Sequence, residues 1–302
     1  MINKKHKDRL FRAIFGYEKH KDNLLSLYNA LNDTNYKNVE ELEINTLDDV
    51  IYMGMKNDVS CILDSSMSLY EHQSTYNPNM PLRGFIYFGK LYSNYVSLKA
   101  LNMYSYKQQK IPTPQYYVFY NGVKDYPDRV ELKLSDAFIK QDENHNFEWT
   151  AIMLNINKGH NEKLLAACKV LEDYAILIDT IRKYQENETE MEVAIIKAID
   201  QCIKNNILVD FLKEHKSEVI DMCLEEYDEE KTLKMLADEA REEGEIVGIE
   251  EGKKIGFEAG EKVGREESER QAIERMLTKL SPEEVIELGY EKDQVMKIYN
   301  QK

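Results

Sequence analysis

The chain has 302 residues, of which 42% are hydrophobic and 31% charged, and its formal net charge is −15. Such a composition suits a soluble globular protein with a polar appendage, long enough for one large or two modest domains. No apolar run reaches the length of a membrane span, the Met1-Ile2-Asn3-Lys4-Lys5 start lacks the apolar core of a signal peptide, and Cys61, Cys168, Cys202 and Cys223 form no CxxC pair. We therefore expect a cytoplasmic protein with reduced thiols and no membrane partner.

In chain order, residues 6–31 read as helix, with Leu10, Phe11, Ile14 and Phe15 in one apolar cluster and Leu24, Leu25, Tyr28 and Leu31 in another after a break near Gly16. Val39 to Asp49 is polar and alternating, an exposed strand or loop. Asp58-Val59-Ser60-Cys61-Ile62-Leu63 and Met67-Ser68-Leu69-Tyr70-Glu71-His72-Gln73 then flank a polar turn and predict a β-hairpin. A two-residue loop at Ser65-Ser66 sets Asp58 opposite Gln73 and Ser60 opposite Glu71. Because side chains alternate along a strand, Asp58, Glu71 and Gln73 then converge on one face, and a one-residue slip would send Asp58 to the other. Two carboxylates at neighbouring strand ends make a hard-oxygen site suited to Mg²⁺ or Mn²⁺.

Pro81 suits the first turn of a helix that Leu82, Phe85, Ile86, Phe88, Leu91 and Tyr95 continue. Arg83 and Tyr87, four apart, share a face of it; the plainer reading of Arg83 is a partner for a nearby carboxylate. Tyr116 to Tyr120 and Trp149 to Ile156 read as strands, so a small mixed sheet flanked by helices is expected. Segments 161–185, 190–204 and 206–224 read as amphipathic helices packed on the sheet or on each other. His160 is a turn residue in this reading, not a base or ligand. Beyond them Gly244, Gly248, Gly252, Gly256, Gly260 and Gly264 recur every four residues among Glu, Lys and Arg. Glycine inside a helix costs about 1 kcal/mol relative to alanine, so either close contact with another copy of the chain compensates or the segment is a spacer. We favour the helix and expect a homo-oligomer through this tail. Ser281-Pro282-Glu283-Glu284 is a capping box that opens a short helical end.

Charge is unevenly spread. Residues 225–302 hold 23 acids against 13 bases, whereas residues 72–124 hold no acid at all but carry Arg83, Lys90, Lys99, Lys107, Lys110, Lys124 and nine of the 20 tyrosines. Lysine and arginine neutralise phosphates and tyrosines stack on bases, so this block, which begins just after Glu71, points to DNA as partner, with Arg83, Tyr87, Lys90, Lys99 and Lys107 as contacts. The competing reading is a tyrosine-rich helical face with ordinary surface lysines.

Asp58, a hairpin, then Glu71-His72-Gln73 resembles the PD-(D/E)xK nuclease core, with Gln73 where the usual motif has lysine. Lys7-Asp8-Arg9-Leu10-Phe11, Met80-Pro81-Leu82-Arg83 and Asn155-Ile156-Asn157-Lys158-Gly159-His160-Asn161, in that order and spacing, resemble the Rpn family of recombination-promoting nucleases, also labelled putative transposases. The resemblance implies an α/β restriction-endonuclease-like core over 1–160, a helical extension over 161–225 and a charged, glycine-periodic helical tail over 226–302. It implies Mg²⁺-dependent hydrolysis of DNA phosphodiesters, with Asp58, Glu71 and Gln73 catalytic and the metal held by Asp58, Glu71 and the backbone carbonyl of His72. Asp8 matches an acidic position of the first-helix motif and is an additional acid for that site; the reading we prefer is a first-turn carboxylate stabilised by the helix dipole. Glutamine lacks the charge that lysine brings. The alternatives are a nuclease fold that has lost its chemistry and serves as a DNA-binding or interaction module, or a protein whose strand-end carboxylates are solvated and inert.

Overall fold

A computed structural model describes residues 9–46, 58–140, 146–187 and 190–301. Asp8 and the residues leading into the hairpin, 47–57, lie outside them. The chain divides into two units, Met1–Glu229 and Glu230–Lys302.

The first unit is built on a six-stranded mixed sheet: β1 (Glu43–Ile44), β2 (Val59–Leu63), β3 (Ser66–Gln73), β4 (Thr113–Tyr120), β5 (Arg129–Lys133) and β6 (Thr150–Asn155), in spatial order β1-β2-β3-β4-β6-β5. β1 to β3 form an antiparallel meander, β3, β4 and β6 are parallel, and β5 returns antiparallel along the edge. Parallel neighbours need a crossover, and helix α3 (Met80–Leu98) supplies the one from β3 to β4. This mixed α/β architecture is the one the sequence implies, with β5 added. The sequence Arg-Val-Glu-Leu-Lys of β5 offers only two apolar side chains, which suffices for an edge strand.

Alternation along the strands divides the core in two. On one face Met67, Leu69, Tyr116, Val118, Ala151 and Met153 pack under Tyr87, Phe88 and Leu91 of α3. On the other, Val59, Cys61, Tyr70, Phe119 and Leu154 are covered by the first helices, α1 (Arg9–Phe15) and α2 (Lys21–Asn32), and by the helices after the sheet. Those are α4 (Glu162–Ala167), α5 (Lys169–Gln185), α6 (Met191–Lys204) and α7 (Val209–Glu214). Gly84 is what lets α3 lie so close to the sheet. A Cβ there would come within 2.2 Å of the Tyr116 ring, so a larger residue would lift the N-terminal turns of α3 off β4.

Helix α8 (Lys216–Met276) is continuous through the glycine-periodic segment, and every residue from Glu251 to Gln271 is exposed. In the second unit Ile273 packs with Val285 of α9 (Pro282–Glu287) and with Val295 and Ile298 of α10 (Lys292–Tyr299). The capping box forms as read: Ser281 Oγ accepts from the Glu284 N–H at 3.3 Å, and Glu284 Oε2 accepts from the Ser281 N–H at 2.8 Å. Among the described residues no helix is long and apolar enough to cross a membrane.

Candidate active site

The hairpin turns one residue earlier than its sequence suggests. Asp64 takes φ 54, in the left-handed region that Asp tolerates better than most residues, and Leu63 pairs with Ser66, so the loop is Asp64-Ser65. Thr113 N–H, donating to the Ser65 carbonyl at 2.7 Å, ties this turn to the start of β4. Every cross-strand partner therefore shifts by two: Val59 faces Tyr70, and the next step of the register sets Asp58 against Glu71 rather than Gln73. Ser60 faces Leu69, not Glu71. A shift of two preserves parity, so Asp58, Ser60, Glu71 and Gln73 share the face under α3.

Asp58 and Glu71 are linked both ways. The Asp58 N–H donates to Glu71 Oε1 at 3.3 Å, and the His72 N–H donates to Asp58 Oδ2 at 2.6 Å. Both residues are buried, the Glu71 side chain completely. Its charge is met from the first turn of α3, where Arg83 Nη2 lies 2.9 Å from Glu71 Oε2. Burial alone would lower the Arg83 pKa; the Glu71 carboxylate, together with Tyr87 and Tyr116, more than offsets that, so the guanidinium is held charged. Tyr87 Oη accepts from the same Nη2 at 3.3 Å, and the guanidinium carbon sits 5.8 Å from the Tyr87 ring centre. Burial, then the nearby Glu71 charge, raises the Tyr87 pKa, so its hydroxyl stays neutral. Glu71 is thus half of a buried ion pair, which contradicts the alternative in which the strand-end carboxylates are solvated.

Gln73 points its amide along its own strand, Nε2 donating to the His72 carbonyl at 2.7 Å, and its carbonyl accepts the Asn121 N–H at 3.0 Å. The His72 ring lies on the opposite face, stacked on Phe11 with centroids 6.0 Å apart and edge-on to Tyr174 at 5.4 Å. Any contribution of His72 at the carboxylates is therefore through its backbone. Two hydroxyls that sequence reasoning missed lie on the α3 face: Ser60 Oγ and Tyr116 Oη are buried without a hydrogen-bond partner. The Tyr116 pKa is pushed well up by burial and then by Glu71, which places its ring in the field of the pair. Nothing in the local sequence separates Tyr116 from the run of tyrosines around it.

The base-rich block does not gather at the carboxylates. α3 runs back along the sheet, and the 16 residues from Arg83 to Lys99 carry the chain about 24 Å away at 1.5 Å per residue. Lys90 is half-buried partway along. Lys99, its ammonium 6.0 Å from the Tyr95 ring centre, and the exposed Lys107 lie toward the opposite, turn end of the hairpin. Tyr87 is wholly buried and holds Arg83 rather than facing solvent. The Asn155–Asn161 stretch has a structural task. Asn157 Nδ2 donates to the Gly122 carbonyl at 3.0 Å, Asn161 Nδ2 to the Asn155 carbonyl at 2.9 Å, and Arg182 from α5 donates to Asn121 Oδ1 at 2.7 Å. Together they tie off the ends of β4 and β6. His160 sits between Asp128, at 2.7 Å, and Asp125, at 3.1 Å.

Among the described residues no group of three or more His, Cys, Asp or Glu side chains is placed to hold a metal. Asp58 and Glu71 are a two-carboxylate set, which fits Mg²⁺: that ion is commonly bound by one or two carboxylates with water and substrate phosphate oxygens completing its shell. Asp58 adds a second carboxyl group beside the Glu71–Arg83 pair, and the two unpartnered hydroxyls on the same face leave polar groups for further ligands or water. Comparison of the chain with protein-family models, curated proteins and solved structures returned no match.

Proposed function

We propose that this chain is a metal-dependent DNA endonuclease with a PD-(D/E)xK-like core, related to the Rpn recombination nucleases that its motifs resemble. The observation that carries the reading is the convergence of Asp58 and Glu71 on one buried face at the open end of the hairpin, with a permanently charged Arg83 against them. Asp58, Glu71 and the His72 carbonyl would hold Mg²⁺ or Mn²⁺, which when bound lowers the pKa of water and stabilises charge on phosphoryl oxygens. The remaining work falls to the side chains. Gln73 brings no charge, and its amide fixes the His72 carbonyl. Arg83 therefore supplies the positive charge that lysine supplies in the usual motif, and Tyr87 sets the guanidinium's position. The burial of the pair strengthens that field relative to water. Hydrolysis of supercoiled plasmid by the full chain tests the reading.

One observation favours a second reading. Arg83 already neutralises Glu71, and both Glu71 oxygens and one Asp58 oxygen accept hydrogen bonds. A core that binds DNA without cutting it would look the same, and the plasmid assay separates the two.

For the tail we propose a second copy of the chain as partner. At Gly244, Gly248, Gly252, Gly256, Gly260 and Gly264 a Cβ would meet nothing within 4 Å, while Ile255, Phe257 and Val263 are exposed beside them. In a lone helix, alanine at Gly252, Gly256 and Gly260 would only stabilise, by up to about 1 kcal/mol each. Against a second helix the added methyls block close approach. Light scattering is expected to show a wild-type dimer that the triple alanine variant weakens at least tenfold; a dimer indifferent to the substitutions would contradict this.

A further inference from the structure

The segment joining α3 to β4, Lys99 to Pro112, turns its chemistry outward. Tyr104 and Tyr106 are fully exposed, more so than any other aromatic residue among those described. Lys99, Lys107 and Lys110 are exposed beside them, with no Asp or Glu between residues 72 and 124. The segment is held in shape by its own polar groups: the Tyr104 N–H donates to Asn102 Oδ1 at 3.0 Å and the Lys107 N–H to Ser105 Oγ at 3.1 Å. Tyr92 Oη, donating to the Pro112 carbonyl at 2.7 Å, fastens its end to α3.

Exposed lysines alone would suit the phosphates of any nucleic acid. Exposed rings add something a duplex cannot use, because paired bases are already stacked on one another and offer no free face. Unpaired bases do, and each stack on an aromatic side chain is worth roughly five- to 150-fold in affinity. We propose that the Lys99–Pro112 segment is a docking platform for unpaired DNA, Tyr104 and Tyr106 stacking on bases while Lys107 and Lys110 meet the flanking phosphates.

Two rulers give its distance from the carboxylates. Five residues of β3 separate Ser66, beside the segment's end, from Glu71, about 17 Å at 3.3 Å per residue. The α3 axis gives about 24 Å between Arg83 and Lys99. The interval corresponds to about six nucleotide steps at 3.4 Å each. Resting on the nuclease reading, the platform makes the substrate class DNA with a single-stranded segment about six steps from the bond to be cut, such as a gap, flap or branch, rather than uninterrupted duplex.

Fluorescence anisotropy on the full chain, in EDTA so that nothing is cut, tests the platform with a labelled 20-mer of thymidylate and a labelled 20-base-pair duplex. Wild type is expected to bind the single strand more tightly. Tyr104→Ala/Tyr106→Ala should weaken single-strand binding at least tenfold and duplex binding less than twofold, with the wild-type melting temperature retained because both rings are exposed. Lys107→Glu/Lys110→Glu should weaken both. The platform is overturned if the tyrosine variant binds the single strand as wild type does, or if wild type shows no preference for it. Plasmid cleavage by Asp58→Asn reports separately on the nuclease reading, so either conclusion can fall while the other stands.

Discussion

Glu71→Ala is expected to cost the fold about 3 kcal/mol and to remove all Mg²⁺-dependent cleavage. Glu71 is completely buried and Arg83 lies 2.9 Å from it with a quarter of its side chain exposed. Breaking a buried pair by deleting one member leaves the other charge uncompensated, a loss of about 3–5 kcal/mol, and the partial exposure of Arg83 places this case at the lower end. Replacing both members by apolar groups avoids that penalty. Glu71→Ala/Arg83→Met should therefore recover most of the stability in urea unfolding while remaining inactive. Equal stability of Glu71→Ala and wild type would show that the pair does not form in solution.

Arg83→Ala is expected to lower cleavage at least a hundredfold, the scale of removing one preorganised charge-stabilising group. Metal binding should survive, because both carboxylates remain and Glu71 loses its competing cation. A Mn²⁺-dependent rise in melting temperature would show this. The informative variant is Arg83→Ala/Gln73→Lys, which returns a cation to the strand position of the usual motif. Recovery of at least tenfold in rate over Arg83→Ala would assign Arg83 the lysine's role. No recovery, with metal binding intact, would leave Arg83 a purely structural partner of Glu71.

Much of this site is legible in the chain because parity is robust. A hairpin whose turn slips by one position changes every partner by two, and Asp58 still shares a face with Glu71. Pro81 marks the start of α3 for a local reason, since its fixed φ suits the first helical turn. What the sequence hides is which end of the sheet a residue occupies. Residues 72–124 are contiguous, so their lysines read as neighbours of Glu71, yet the crossover carries Lys99 and Lys107 to the far end. Arg83 is ambiguous for another reason: one guanidinium suits a phosphate or a carboxylate equally well, and only the closeness of α3 to β4, allowed by Gly84, decides that Glu71 is in reach. The burial of Glu71 is likewise a tertiary fact, set by the α3 lid and not by the residues beside it in the chain.

Nicking of supercoiled plasmid by the full chain in Mg²⁺, beside Asp58→Asn at the same concentration, tests the central claim most directly. The substitution keeps an oxygen that can accept the His72 N–H while it removes the charge and turns the second acceptor oxygen into an N–H donor. The account predicts open-circular product from wild type, none in EDTA, and at least a hundredfold less from Asp58→Asn. Nicking by Asp58→Asn at the wild-type rate would contradict it.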